Sequence, residues 1–326
     1  MTTINWGILA PGNIANSFAE ALRGVPSARL YSVASRDVGR ARAFAQLHNF
    51  DTSADSYEAL IKDPNVDAIY IASPHTFHAE QSIQCLQAGK AVLCEKPMTI
   101  NAHEAQRVVD AAQHYNTFYM EAVWTRFMPI LKQVRRWIDD GEIGEIQLIQ
   151  ASLGFDISPE VRHRLYDLNL GGGSLLDVGI YPITFAQWVM QEAPQEIAAL
   201  AQMHSSGVDE RAGIVLRYTN GVIATLNSAI TSSTSHDAWI FGSKGNIKLP
   251  QFWMAEEATL IVGEKQATVS RPHAVNGYEG EIEEVHRCLQ AGLIESPTMS
   301  WQKSLSVMEI MDEVRAQIGL RYPMEA

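Results

Sequence analysis

Three side chains in this sequence have types and spacings that could do proton chemistry. Lys96 lies in Cys94-Glu95-Lys96-Pro97, where an apolar run, Ala91-Val92-Leu93, hands over to a helical pattern from Ile100 to Asn116. Asp177 and Tyr181 follow Gly171-Gly172-Gly173-Ser174, four residues apart, which on a helix puts them on one face. A tyrosine ionises near pKa ~10 in water, so it needs a nearby cation to exchange protons close to neutrality. Lys96 is a cation that could serve, by charge or by holding a hydroxyl. The plainer alternatives are a solvated Glu95–Lys96 pair ahead of a helix, and a half-buried Tyr181 bonded to Asp177 in an interface. Ser174 is expected to cap the helix, and Gly179 to leave room for another group.

The elements that must position these residues begin with a strand, Ile4 to Leu9, and a helix from Asn13 to Leu22. Ala10-Pro11-Gly12-Asn13-Ile14-Ala15 between them occupies the place of the dinucleotide fingerprint G-x-G-x-x-G. Ala10 stands for the first glycine, Gly12 is kept, and Ala15 stands for the third. The kept glycine is the one that lets a pyrophosphate approach the backbone. The helix start, with Asn13 and Ile14, offers N–H groups and a positive dipole end to it.

A second strand, Leu30 to Ala34, ends in Ser35-Arg36-Asp37. An acidic residue directly after this strand would hold the ribose 2′-OH of NAD. Ser35 stands there instead, with Arg36 next, and that pair suits a 2′-phosphate. NADP is therefore expected over NAD. Asp37 comes two places late and reads as the N-cap of a helix from Val38 to His48. The alternation continues with a strand, Ala68 to Ala72, whose carboxyl end carries Ser73-Pro74-His75-Thr76-Phe77-His78. Ser73, Pro74 and His78 are expected near the cofactor, together with Glu95 and Lys96. His75 and His78 have a ligand-like spacing, but no carboxylate or cysteine lies close enough in sequence to complete a metal site. No metal is expected, because Lys and Tyr can stabilise a developing alkoxide.

Strands alternating with helices predict a doubly wound parallel sheet over residues 1–123. After Trp124 the pattern changes. A helix is expected from Pro129 to Asp140. Strands then dominate: 146–153, 197–203, 212–218, 222–230 and 239–241. Asn220-Gly221 is a hairpin signal. Helical patterns return at 280–291 and 303–318. Residues 124–326 thus read as an α+β domain with a large, mainly antiparallel sheet, and its C-terminal helix could pack back on the first domain.

The 326 residues are 46% hydrophobic and 19% charged, enough apolar material for large cores. The net charge of −12 argues against a nucleic-acid partner. Three scattered cysteines, Cys85, Cys94 and Cys288, suggest no disulfide framework. No membrane span or signal peptide is read, and a cytoplasmic location is the default expectation.

The glycine turn at Gly12, the Glu95-Lys96-Pro97 motif, and Gly171-Gly172-Gly173 with Asp177 and Tyr181 occur in this order and at these spacings. Together they resemble the glucose–fructose oxidoreductase / inositol dehydrogenase / MocA family, over essentially the whole chain. Glu121 to Phe127 and Asp177 to Tyr181 look most like its dimeric dihydrodiol dehydrogenase and NADP-dependent xylose dehydrogenase branch. The resemblance implies a Rossmann domain followed by an open-sheet domain commonly used for dimerisation. It implies that Lys96 lies close to nicotinamide and substrate, that Tyr181 holds the acid/base position (His in many relatives), and that Asp177 helps place the substrate. The implied activity is NADP-dependent hydride transfer to or from a sugar, polyol or dihydrodiol carbon. An NAD-dependent polyol dehydrogenase and a non-catalytic NADP-binding regulatory protein are the alternatives.

Overall fold

The computed structural model describes residues 3–157 and 164–325. Two compact units emerge, and they interleave along the chain. The first comprises residues 1–127 and 274–305, the second 128–273 and 306–326. The expected break falls after residue 123, with a C-terminal helix that could pack back on the first domain; the segment that returns is residues 274–305.

The first unit is built on six parallel strands: β1 (Ile4–Leu9), β2 (Ala28–Ala34), β3 (Thr52–Ala54), β4 (Ala68–Ile71), β5 (Ala91–Glu95) and β6 (Tyr119–Ala122). Their order is β3-β2-β1-β4-β5-β6. The strands β4, β5 and β6 are buried along their whole length, as expected of a sheet covered on both faces. The connections are the helices α1 (Asn13–Gly24), α2 (Val38–His48), α3 (Tyr57–Lys62), α4 (His78–Gln87) and α5 (Ala102–His114). The strand order reverses between β1 and β4, and such a switch point is where open α/β sheets bind ligands.

The second unit begins with α6 (Pro129–Asp139) and holds an eight-stranded sheet. Its strands are β7 (Ile146–Gly154), β8 (Glu196–Met203), β9 (Asp209–Arg217), β10 (Ile223–Ala229), β11 (Ala238–Gly242), β12 (Asn246–Leu249), β13 (Glu257–Val262) and β14 (Lys265–Ser270). The order is β14-β13-β12-β11-β7-β10-β9-β8, antiparallel throughout except for β7 with β10. The Asn220-Gly221 hairpin forms as predicted, with Gly221 at φ 84°. The hairpin of β13 and β14 was not foreseen. One sheet face is buried, through Ile149, Ala151, Ile214, Leu216, Ala224 and Leu226. Against it lie a π-helical turn (Leu175–Gly179) and α7 (Ile180–Met190). The fold is therefore a Rossmann-type parallel sheet plus an α+β unit with a large, mainly antiparallel sheet.

The chain re-enters the first unit as α8 (Glu279–Gln290) and the start of α9 (Trp301–Ile318). The Glu279 carboxylate fixes this segment by accepting the backbone N–H groups of Ala274, Val275, Asn276 and Gly277 at 2.7–3.2 Å. Against burial, which would raise it, backbone N–H bonds from Glu279 itself, Val275, Gly277 and Asn276 hold its pKa down.

Candidate active site

The glycine turn sits at the carboxyl end of β1, tied to both neighbours: the Ala10 N–H donates to Ala34 O, and the Ala72 N–H to Leu9 O, each at 3.0 Å. Ala10 has φ 66°, the left-handed region that favours glycine, so alanine tolerates a strained turn there. Gly12 is different. Its φ of −102° suits any residue, and an added Cβ would meet nothing closer than Ala72 O at 3.9 Å. Neither backbone nor packing within the chain requires glycine there. No side chain caps α1, whereas Asp37, Ser56 and Asn101 cap α2, α3 and α5. The first N–H groups of α1 therefore receive no side-chain cap from Gly12.

At the end of β2, Ser35 is buried and its Oγ accepts the Asp37 N–H at 3.2 Å. Asp37 is the N-cap of α2, as the sequence suggested, accepting the Arg40 N–H at 3.0 Å. Arg36 is exposed, and Arg40 reaches back to Pro11 O at 3.4 Å. Both charges act on Tyr57, whose pKa is nevertheless raised because burial outweighs them. Two guanidinium groups thus flank this strand end.

The Ser73–His78 loop is braced internally. Ser73 donates to Gln81 at 2.6 Å. His78 is fully buried, with one ring nitrogen 2.8 Å from Pro97 O and the other 2.8 Å from Ser73 O. It therefore ties the loop after β4 to the loop after β5, and any influence it has on a cofactor passes through those loops. Pro74 precedes a single 3-10 turn, His75–Phe77.

Glu95 ends β5, buried, accepting the Tyr70 hydroxyl and the Lys96 N–H. Behind it lies Glu281 of α8, fully buried with both carboxylate oxygens lacking a partner. Burial, then the Glu95 charge, push the Glu281 pKa well up. Lys96 itself is half-buried. The Met98 N–H donates to Glu121 at 2.7 Å, fixing the far side of the turn. Burial raises Glu121, while Ser304, Met98, Arg126 and Lys96 oppose that rise. Trp124 stacks on Tyr278 with ring centroids 4.8 Å apart.

In the second unit, Asp177 lies in the π turn and Tyr181 in the first turn of α7. Short π segments recur at functional sites. Arg164, which sequence reasoning missed, donates to Asp177 at 2.9 Å. Tyr181 is 9% exposed, its ring edge-on to Trp253 at 6.3 Å, with Phe155 and His236 around Trp253. No sequence motif marked that aromatic group, because its members come from separate segments.

The glycines before this helix have separate reasons. Gly171 and Gly173 have φ of 71° and 117°, and a Cβ on Gly172 would lie 2.5 Å from Leu165 O. A Cβ on Gly179 would meet Ser228 Oγ at 3.1 Å, so the close approach expected there is to β10. Ser174 does not cap the helix as expected: its hydroxyl donates to Asp209 at 2.7 Å.

Residues 4–122 match the family described as "Oxidoreductase family, NAD-binding Rossmann fold", and residues 131–248 match "GFO/IDH/MocA C-terminal domain". Trans-1,2-dihydrobenzene-1,2-diol dehydrogenase of Xenopus laevis is 38% identical over 98% of this chain and 99% of its own. The Mus musculus protein of that name is 37% identical over 99% of both. Among solved structures, a 3-ketoreductase from Actinomadura kijaniata in complex with NADP and TDP-benzene superposes with a TM-score of 0.89. It is 26% identical, over 97% of this chain and 98% of that one. With both halves matched and relatives aligned end to end, the chain belongs to the GFO/IDH/MocA oxidoreductases, built on an NAD(P)-binding Rossmann fold.

Proposed function

We propose that this protein is an NADP-dependent dehydrogenase acting on a carbon bearing a hydroxyl, in a diol or sugar-like substrate. The observation that carries the reading is Tyr181 on one helical segment with an arginine-held Asp177 and an aromatic wall. The relatives named for a dihydrodiol substrate and the structure solved with NADP support it.

When bound, NADP supplies the hydride acceptor or donor. The chain does the rest. Gly12 and the start of α1 receive the pyrophosphate, while Ser35 and Arg36, with Arg40, take the 2′-phosphate. Asp37 favours this choice, because its carboxylate is already used as a helix cap. Ser73, Pro74 and Glu95 shape the rim beside nicotinamide, and His78 holds that rim. Tyr181 takes the hydroxyl proton in oxidation and returns it in reduction. Lys96 supplies the positive charge that favours tyrosinate and holds the reacting oxygen. Asp177 orients the substrate. The Trp253 group gives an apolar ring somewhere to lie.

The proposed assembly is a homodimer through the open sheet face, where Leu200 is 83% and Val215 40% exposed and Trp239 stacks on Phe241. Sedimentation as a monomer at micromolar concentration would argue against it.

The deciding experiment combines a titration with a screen. NADPH and NADH are titrated by nicotinamide fluorescence, and trans-diols and aldoses are then screened with NADP. Tyr181→Phe should lower kcat about a hundredfold or more while NADPH affinity is kept. A fully active Tyr181→Phe protein would sink the assignment.

A further inference from the structure

The helix that carries Asp177 and Tyr181 lacks a cap of its own. Its first residue, Leu175, follows Ser174, whose side chain makes no capping bond. The Leu175 N–H is instead taken by Asp209, at the start of β9, through Oδ2 at 2.7 Å. The same oxygen accepts the Ser174 hydroxyl at 2.7 Å, and Ser174 Oγ lies 2.9 Å from Ser228 Oγ of β10. Asp209 is fully buried, and its other oxygen, Oδ1, has no hydrogen-bond partner. That oxygen faces Gly173, where an added Cβ would come within 2.2 Å of it. The glycine run is thus shaped to let this carboxylate reach the helix end.

We propose that Asp209 is a positioning residue for the reaction, capping from a neighbouring strand the helix that presents Asp177 and Tyr181. The inference rests on the dehydrogenase reading above for its catalytic consequence, and on geometry alone for the cap. A carboxylate at a helix N-terminus makes charge-assisted bonds and faces the positive end of the dipole. Those gains offset the burial of a charge that would otherwise be expelled. Burial pushes the Asp209 pKa up to about 6, against which the Ser174 and Leu175 bonds pull down. The groups around it are Ser174 and Leu175 from the helix, Ser228 from β10, and Tyr322 from the C-terminal segment. Tyr322 donates to Gly172 O at 2.8 Å and is itself held protonated by burial and by Asp209. Arg315 and Glu325 lie behind Tyr322.

The test compares the intact wild type with Asp209→Asn, Asp209→Ala and Ser174→Ala. Amide hydrogen exchange of residues 174–181, corrected for intrinsic rates, is read at pH 5 and pH 8 without substrate. Wild type should lose protection severalfold at pH 5 in openings that break the cap while Asp209 stays buried, because the Ser174 and Leu175 bonds favour the carboxylate over the neutral acid. Asp209→Ala should exchange about tenfold faster or more at pH 8. Asp209→Asn keeps an acceptor, so it should hold protection that no longer changes with pH. Turnover should follow, kcat falling in Asp209→Ala while NADPH affinity stays. If Asp209→Ala does not fold, Ser174→Ala and the pH response of Asp209→Asn decide. Equal exchange in all variants, or the same pH response in wild type and Asp209→Asn, would overturn the proposal. Absent turnover in wild type with the exchange pattern intact would instead count against the dehydrogenase reading alone.

Discussion

The guanidinium of Arg164 donates to the Asp177 carboxylate at 2.9 Å, with the two side chains 37% and 16% exposed. A pair this open to water contributes little to folding, on the order of 1 kcal/mol or less. Its value lies in holding one carboxylate orientation. Arg164→Ala should therefore raise substrate KM about tenfold while moving Tm by only a few degrees. NADPH affinity should be unchanged. Unaltered KM would mean that Asp177 places substrate without this partner, or does not place it at all.

Gly12 gives a sharper separation of stability from function. Its extended backbone accepts alanine, and the added methyl would touch only Ala72 O at 3.9 Å. Gly12→Ala should be neutral, or stabilising by about 0.4–1 kcal/mol through the unfolded chain. NADPH affinity should nonetheless fall about tenfold or more, since the methyl fills the space the pyrophosphate needs. Unchanged NADPH affinity would show that the fingerprint does not approach the cofactor.

The sequence made some of this legible and hid the rest, for physical reasons. Periodicity and turn chemistry are local, so the β1–α1 turn, the Asp37 cap and the Asn220-Gly221 hairpin could be read directly. The cap at Leu175 comes from Asp209, 34 residues away, and such partners leave no local trace. Ser174 looked like a cap because its type is right, but its hydroxyl is spent on that carboxylate. The return of residues 274–305 to the first unit is just as non-local, and the sequence offers only a C-terminal helix that could pack back. The return shows in long-range ties, such as Trp301 Nε1 donating to Tyr119 O at 3.0 Å. The π turn at Asp177 could not be told from an α-helix by pattern.

Arg36 and Arg40 test the choice of cofactor. Both are exposed, and Arg40 is tied only by a long 3.4 Å bond to Pro11 O. Charge-assisted bonds to phosphate are worth roughly 1.5–3 kcal/mol. Arg36→Ala should weaken NADPH binding at least about tenfold and leave NADH binding nearly unchanged; the Arg36→Ala/Arg40→Ala double variant should bind the two alike. Equal losses for both cofactors would assign the pair to a general electrostatic role and reopen the NAD reading.

His286 links the fold of the first unit to pH. Trp6 Nε1 donates to His286 Nε2 at 2.9 Å, so that nitrogen must be unprotonated; Nδ1–H then faces Ser27 Oγ, also at 2.9 Å. Burial lowers the His286 pKa to about 4, from an ordinary 6.5. The folded protein resists the proton and the unfolded chain does not. Stability supplied by the neutral ring is full above pH 6.5 and is lost as pH falls from there towards 4. Urea unfolding at pH 7.5 and pH 5 should show wild type losing, at this residue, on the order of 1 kcal/mol after allowance for solvent screening. His286→Gln can still accept from Trp6 through its amide oxygen but cannot titrate, so its loss over the same interval should be smaller by that amount. Comparing the two cancels other titrating groups, including Asp209, whose raised pKa works in the opposite direction. Parallel pH dependence in the two proteins would show that the ring does not stay neutral in the fold.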